Sequence, residues 1–300
     1  MKKPRVACLG PEESFTHLAA KSYFGEQANY HYLPPLKACK AIRQNEVEFA
    51  IAPVENNTAG FVEATLDALY RTGKIIIMDE IYLPIRQQLI SNAGDINKIE
   101  LIYSNAIAFA QCRRNLEEIE KERRGRLIKQ IQVESTSLGV SMASKDTSSA
   151  AIGSETAAAK YKVPILRSNL HDNKHNTTRF FVIKIGTIAE PTGNDRSAFL
   201  FEVKHQPGAL NKILDIFAKA KINLLSFQSR PACRVDDTKW DYAFFLECEG
   251  HIWTEPLKNI YKVLQHSEQL SRPRQKVRCL GSFPNRLKRN NQYFQHSNNL

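Results

Sequence analysis

Apolar positions along this chain alternate between two rhythms. Short β-type runs at residues 5–9, 48–54, 99–103, 130–133, 150–152 and 180–183 are separated by helix-type stretches at 14–24, 36–44, 61–70 and 107–120. Strands that alternate with helices predict an α/β fold. Residues 74–90 form a longer extended stretch, suited to crossing between two lobes. Beyond 197 the order becomes strand 197–204, helix 209–220, strand 222–228, strand 240–248, helix 255–265 and strand 275–281, a ferredoxin-like βαββαβ unit. In its first helix Leu210, Ile213, Leu214 and Phe217 follow the spacing of a stripe packed on a sheet. Pro191, Thr192, Gly193 and Asn194 mark a linker over 186–196.

The polar residues gather where strands meet helices. Gly10 and Pro11 break the first strand and Ser14 is placed to cap the following helix. The run 49–54 ends in Glu55-Asn56-Asn57-Thr58, after which Gly60 lets the chain enter the helix 61–70. Ser104-Asn105 comes before the helix 107–120, with Ser104 as its expected cap. Ser135 and Ser154 stand in the same position after the strands 130–133 and 150–152. One such turn is only a capped helix, and its free N–H groups are open to an anion. Several of one kind imply a cleft.

The stretch 171–183 carries the densest chemistry. Asp172, Asn173, Asn176, Thr177, Thr178 and Arg179 stand directly before an apolar run that begins at Phe180. Hydrogen-bonding groups at the end of a rigid strand are placed to hold a polar ligand. Side chains alternate along a strand, so Thr178 and Arg179 reach one ligand only if the strand twists there. A turn followed by a strand rich in β-branched residues explains the same letters.

Charge alters this picture less than its size suggests. The chain of 300 residues has a formal net charge of +11, and seven of those charges (Arg272, Arg274, Lys276, Arg278, Arg286, Lys288 and Arg289) fall in the last thirty residues, which have no Asp or Glu. A basic, solvated tail over 285–300 is expected, and no nucleic-acid partner. The charges over 113–126 mix signs and read as a salt-bridged exposed helix face. Six scattered cysteines without a C-x-x-C pair predict buried reduced thiols, no metal and no disulfide framework. Without a membrane-length apolar run or a signal-peptide core, the expected location is the cytoplasm.

Asn176-Thr177-Thr178-Arg179-Phe180, Pro53-Val54-Glu55-Asn56 with Gly60, and Gly153-Ser154-Glu155-Thr156-Ala157-Ala158 resemble, in order, motifs of the prephenate dehydratases. Gly208-Ala209-Leu210 and Ser229-Arg230-Pro231 look like the two phenylalanine-binding motifs of an ACT regulatory domain. The resemblance implies a two-lobed, periplasmic-binding-protein-like catalytic domain over 1–186, its second lobe inserted near 82–162, then a linker at 187–196 and an ACT domain at 197–284. It implies conversion of prephenate to phenylpyruvate without a cofactor, feedback by phenylalanine, and a homodimer or homotetramer paired through ACT domains. Thr178, Glu55 and Asn56 would be catalytic. Ser104, Asn105, Ser135, Ser154, Thr177, Arg179 and Phe180 would meet the substrate. Gly208, Ala209, Leu210, Gln228, Ser229, Arg230 and Pro231 would meet the effector. The chain departs from the family pattern at Glu13, where Gly is usual, at Asn105 and Ile107 in place of His and Gln, and at Gln228 in place of Glu. An arogenate dehydratase and a non-catalytic ligand sensor of the same fold are the alternatives.

Overall fold

The computed structural model describes residues 3–232, 242–270 and 277–287. Cys233, the basic residues Arg272, Arg274, Lys276, Lys288 and Arg289, and with them most of the basic tail, lie outside the described residues. In chain order the elements are β1 (Arg5–Cys8), α1 (Phe15–Phe24), β2 (Asn29–Tyr32), α2 (Pro35–Arg43), β3 (Phe49–Asn56), β4 (Gly60–Phe61), α3 (Glu63–Arg71), β5 (Ile76–Pro84) and β6 (Gln88–Ser91). There follow β7 (Leu101–Ser104), α4 (Ala106–Gln111), α5 (Arg113–Glu122), β8 (Lys129–Gln132), α6 (Thr136–Ala143), β9 (Ser149–Gly153), α7 (Glu155–Tyr161), β10 (Ile165–Arg167) and β11 (Thr177–Lys184). The chain ends with β12 (Asp195–Glu202), α8 (Ala209–Lys219), β13 (Leu224–Pro231), β14 (Tyr242–Glu249), α9 (Leu257–Gln265) and β15 (Arg278–Pro284).

These strands form a six-stranded sheet in the order β2-β1-β3-β11-β5 with β4 beside β3, a five-stranded sheet β10-β6-β9-β7-β8, and a four-stranded sheet β13-β14-β12-β15. The fold class is the expected one. The long extended stretch supplies β5 to the first sheet and β6 to the second. By contact the chain divides into two compact units, one of Met1–Pro34, Ile51–Val62 and Tyr82–Phe180, the other of Pro35–Ala50, Glu63–Ile81 and Phe181–Leu300.

In the first unit β9 is the central strand of the five-stranded sheet and every one of its residues is buried. Alternation divides the core accordingly: Leu89, Ile102 and Ile152 pack with Phe109, Leu116 and Ile119, while Ile90 and Ala151 pack with Val140, Ala143 and Ala157. The mixed-sign face expected over 113–126 is only partly internal to the helix. Glu122 of α5 forms a two-pronged ion pair with Arg167 of β10, at 3.1 and 2.6 Å.

In the second unit the four-stranded sheet has the ferredoxin-like order, with β12 pairing antiparallel to both β14 and β15. One face packs Phe199 and Leu246 against Ile213, Phe217, Ile260 and Leu264. Phe245 and Phe283 meet Phe181 at ring separations of 6.3 and 5.9 Å. The expected linker ends early, because Asp195 and Arg196 belong to β12 and are buried. Asp195 accepts hydrogen bonds from Thr192 and Gly193, and the Arg196 guanidinium lies 3.6 Å from the carboxylates of both Glu80 and Glu247. Long-range partners of this kind leave no local signature. Cys8, Cys39, Cys112 and Cys248 are buried and Cys279 half-buried, all free; burial pushes the Cys8 and Cys39 thiols up to about 12, so they stay protonated.

A Cβ on Gly281 would overlap the carbonyl oxygen of Ile77 and reach 3.0 Å from its carbonyl carbon. The obstacle is backbone, so it cannot rotate away. Gly281→Ala is therefore expected to destabilise the protein by roughly 1–3 kcal/mol, the usual cost of overpacking. An unchanged midpoint in denaturant unfolding would show that the strands part freely there.

Candidate active site

The carboxyl end of β3 meets the amino end of β11, and the side chain of Asn56 joins them. Asn56 is 7% exposed. Its Oδ1 accepts the N–H groups of Thr58 and Ala59 at 2.9 and 2.8 Å, closing the β3–β4 hairpin as an Asx turn. Its Nδ2 donates to Asn176 Oδ1 at 2.8 Å, to Thr178 Oγ1 at 2.9 Å and to the Thr177 carbonyl at 3.2 Å. Asn57 adds three bonds to the same segment: its N–H donates to the Thr177 carbonyl, its amide donates to the His175 carbonyl, and its Oδ1 accepts the Thr177 N–H. This pairing corrects the reading of Gly60. The residue does not open a helix but pairs with Asn56 across the hairpin, at φ 83°, and α3 begins at Glu63.

Thr178 thus has its oxygen fixed from one side. Since the Asn56 amide donates to Oγ1, the Thr178 proton is directed elsewhere, and the donated bond makes that O–H more polar. Behind Asn56 stands Gln111 at the end of α4, whose Nε2 donates to Asn56 Oδ1 at 3.4 Å and whose Oε1 accepts from Gln87 Nε2 at 3.3 Å. Sequence reading passed over both glutamines. Gln111 falls mid-helix in an apolar stretch, and only the fold brings it to a strand end fifty-five residues away. Asn176, 2% exposed, keeps a buried Nδ2 without a protein partner. It lines a cavity of about 270 Å³ together with Thr58, Gln111 and Asn173. The network therefore presents one directed hydroxyl and one open amide donor.

Other expected contributors are engaged elsewhere. Arg179, 3% exposed, lies 3.3 Å from Glu55, so each supplies the other's counter-charge. Alternation puts this pair on the faces opposite to Asn56 and Thr178. Phe180 is 1% exposed and is a core residue, whereas the Thr177 hydroxyl donates to the His175 carbonyl. Ser104 does not cap α4; it is fully buried and donates to the Ile152 carbonyl at 2.9 Å. Asn105 is the cap, accepting the Ala108 N–H at 2.8 Å, and Ile107 is 55% exposed. Ser135 and Ser154 do cap α6 and α7 as expected.

The first turn reaches these two helix starts. The Ser137 hydroxyl donates to the Glu12 carbonyl at 2.9 Å and that of Ser154 to the Glu13 carbonyl at 3.3 Å, and Lys160 pairs with the Glu12 carboxylate. Glu13 adopts φ 62°, the left-handed region where the family pattern has Gly. Its N–H is held at 3.0 Å by Nδ1 of His17, which is 3% exposed, and its carboxylate faces Lys21.

In the second unit Gly208, at φ 78°, and Leu210 line a cavity of about 420 Å³ with Pro207 and Phe244. Ala209 turns into the core. Gln228 is half-buried on β13, and Ser229 and Pro231 are exposed on it. Arg230 binds Asp67 of α3 through two bonds of 3.0 and 3.2 Å, with Glu63 at 2.8 Å. Among the described residues no group of three or more His, Cys, Asp and Glu is arranged to hold a metal ion, and no helix is long and apolar enough to cross a membrane.

Against known proteins, the family model described as prephenate dehydratase matches residues 6–187 and that of the ACT domain residues 197–262. The chain is 38% identical over 293 residues to the bifunctional chorismate mutase/prephenate dehydratase of Aquifex aeolicus, covering 95% of this chain and 75% of that one. It is 30% identical over 284 residues to the prephenate dehydratase of Lactococcus lactis subsp. lactis, covering 93% and 97%. The crystal structure of the Arthrobacter aurescens prephenate dehydratase in complex with L-Phe superposes with a TM-score of 0.82 at 28% identity, covering 94% of this chain and 90% of that one.

Burial holds the His17 imidazole below its ordinary 6.5, with the Glu13 carboxylate opposing that shift. On acidification the unfolded chain therefore takes up the proton first. Its contribution to stability is complete above 6.5 and is lost as the pH falls towards the folded value. Thermal midpoints between pH 7 and pH 5 should fall more steeply for the natural protein than for His17→Gln; parallel curves would exclude His17 as the source.

Proposed function

The chain belongs to the prephenate dehydratase family and is an enzyme of that reaction, the decarboxylating dehydration of prephenate to phenylpyruvate, and on this basis we propose that Thr178, oriented by Asn56, serves the departing hydroxyl. The single observation that carries this assignment is the 2.9 Å bond from Asn56 Nδ2 to Thr178 Oγ1. Prephenate is a dianion with a ring carboxylate and a ring hydroxyl on opposite carbons. As the carboxylate leaves as carbon dioxide, its bonding pair enters the ring and expels the hydroxyl, which departs as water after taking up one proton. Phenylpyruvate keeps the other carboxylate. Aromatisation drives the step, and the site's task is to stabilise the leaving oxygen.

A threonine is far too weak an acid to protonate that oxygen by itself. Its O–H acts as a fixed donor whose polarity the Asn56 amide increases, so proton delivery meets an oxygen already hydrogen-bonded. The open Nδ2 of Asn176 is a second donor for an anionic oxygen. Glu55 serves by neutralising Arg179, which keeps a free carboxylate away from a dianionic substrate. Ser135 and Ser154 act by holding the starts of α6 and α7.

A catalytic domain over 1–186, a linker over 187–194 and an ACT domain that starts with β12 at Asp195 and runs to 284 are the domain limits that go with this reading. The enzyme is cytoplasmic, and L-phenylalanine is the effector at the ACT domain, supported by the L-Phe complex of the Arthrobacter relative. β13 is one of the two edge strands of the four-stranded sheet, and an edge of this kind supports pairing with a second copy. Regulation requires an effector that binds one arrangement better than another. The Arg230 link to α3 provides a route, because α3 follows directly on the hairpin that carries Asn56 and Thr58.

Thr178→Ala should fold normally and lose about 10²–10⁴ in kcat, the usual range for a positioned proton-transfer group. Phenylpyruvate formation at the natural rate would remove Thr178 from the mechanism. Asp67→Asn should keep turnover without effector and require at least about threefold more phenylalanine for half-inhibition, in line with an ion pair worth under 1 kcal/mol. An unchanged phenylalanine response would take the Arg230–Asp67 pair out of the route.

A further inference from the structure

Two connectors carry the chain between the six-stranded and the five-stranded sheets, residues 85–87 after β5 and 168–176 before β11. Beside them and the start of α5 lies a cavity of about 540 Å³ whose lining includes Arg86, Arg114, Lys174, His171, Asp172 and Glu118. Among the described residues none of its three basic side chains has an ion-pair partner. The Asp172 carboxylate is already committed. It caps α5, accepting the N–H groups of Arg114 and Asn115 at 3.0 and 3.2 Å and the Asn115 amide at 3.0 Å. Glu118 alone supplies an uncommitted negative charge against three cations.

His171 gives the second observation. It is 8% exposed, and Nδ1 accepts the Gln87 N–H at 3.3 Å, so the proton of the neutral ring is on Nε2. That N–H has no acceptor among the described residues, and the ring borders the cavity. The ring is buried while its Nε2–H borders the cavity, a directed donor beside three cations that lack ion-pair partners among the described residues. The geometry points to a binding site for a small dianion, a dicarboxylate or a phosphate, held by Arg86, Arg114 and Lys174 with His171 Nε2 as the directed donor. Arg side chains suit either anion through paired N–H groups.

Arg86, Lys174 and His171 lie outside the Asn56–Gln111–Thr178 network, whereas Arg114 and Asp172 also border the cavity beside Asn176, the Asp172 N–H donates to the Gln111 carbonyl, and His171 holds the backbone of Gln87, whose side chain donates to Gln111. An occupant would therefore brace the connector that supports the network from behind.

Calorimetric titration of the full chain with malonate and with inorganic phosphate, at ionic strength held constant with chloride and with acetate as the singly charged control, tests the site. One or both dianions should saturate at least about tenfold more tightly than acetate, and whichever binds more tightly identifies the anion class. Arg86→Gln and Lys174→Gln should each weaken that binding by roughly tenfold, the size of one charge-assisted hydrogen bond, while Thr178→Ala leaves it unchanged. Dianions binding no better than acetate would overturn the proposal, as would affinities unmoved by Arg86→Gln and Lys174→Gln. Binding lost in Thr178→Ala would assign the anion to the reaction site and overturn it equally.

Discussion

Everything in the candidate site depends on how completely the side chain of Asn56 is used. A primary amide has two donor hydrogens and an oxygen with two lone pairs. Here the oxygen closes the hairpin after β3, and the nitrogen holds the start of β11 at a backbone carbonyl, an amide and a hydroxyl. An aspartate of the same shape could accept from the hairpin but could not donate to Thr178. An alanine would leave the N–H groups of the exposed Thr58 and Ala59 to water and the buried side-chain oxygen of Asn176 without this donor, at a cost of about 1–3 kcal/mol for that buried group. The residue that builds the turn is the same one that holds the Thr178 hydroxyl. Structure and chemistry cannot be varied independently at this position.

The same logic bears on the charges around the network. The substrate brings two carboxylates; as one leaves as neutral carbon dioxide its charge passes through the ring to the departing oxygen until a proton arrives, so a free carboxylate near it would raise the barrier. The hydrogen-bonded network is made of amides and hydroxyls, Glu55 is paired with a buried guanidinium, and the Asp172 carboxylate, on the lining of the adjoining cavity with Arg113 and Arg114, accepts the N–H groups of Arg114 and Asn115. Fixed neutral dipoles stabilise a developing charge on the leaving oxygen without having to reorient as it forms.

Local pattern made the alternating elements legible because each strand and helix states its own burial. The ferredoxin-like unit could be read in order from its apolar spacing, and Ser14, Ser135 and Ser154 cap the helices that their positions suggested. The misreadings have physical causes. Ser104 does not cap α4 because its side chain turns into the sheet, donating to the Ile152 carbonyl, and its neighbour Asn105 on the other side takes the cap. Gln111 and Gln87 were passed over because their partners lie far away in sequence. The ligand-sensor alternative drew on Asn105 and Ile107. It loses its footing, since one is a helix cap and the other is largely exposed, while the Asn56–Thr178 bond is intact.

The second unit shows what a buried ionic cluster can accomplish where composition predicts a linker. Arg196 lies between the fully buried carboxylates of Glu80 and Glu247, and Arg286 adds its N–H to Glu80 and a two-pronged pair to Asp79. Withdrawing these charges from water costs several kcal/mol for each ion, which their mutual attraction offsets only in good geometry. Net stability is therefore a weak reason for such a cluster, and apolar residues of similar volume would serve that purpose as well. What apolar residues cannot supply is register. β5, β12, β14 and the end of β15 each bring one or more charges, and a slip of one residue in any of these strands would leave a buried charge unpaired. Arg278 works in the same way on α3, donating to the carbonyls of Leu69, Tyr70 and Thr72 where that helix ends. With Arg230 bound to Asp67, α3 is gripped by the ACT strands along its length, from Glu63 to Thr72. These bonds tie α3 to the strands at both of its ends, and its first residue lies two positions beyond the hairpin that Asn56 closes.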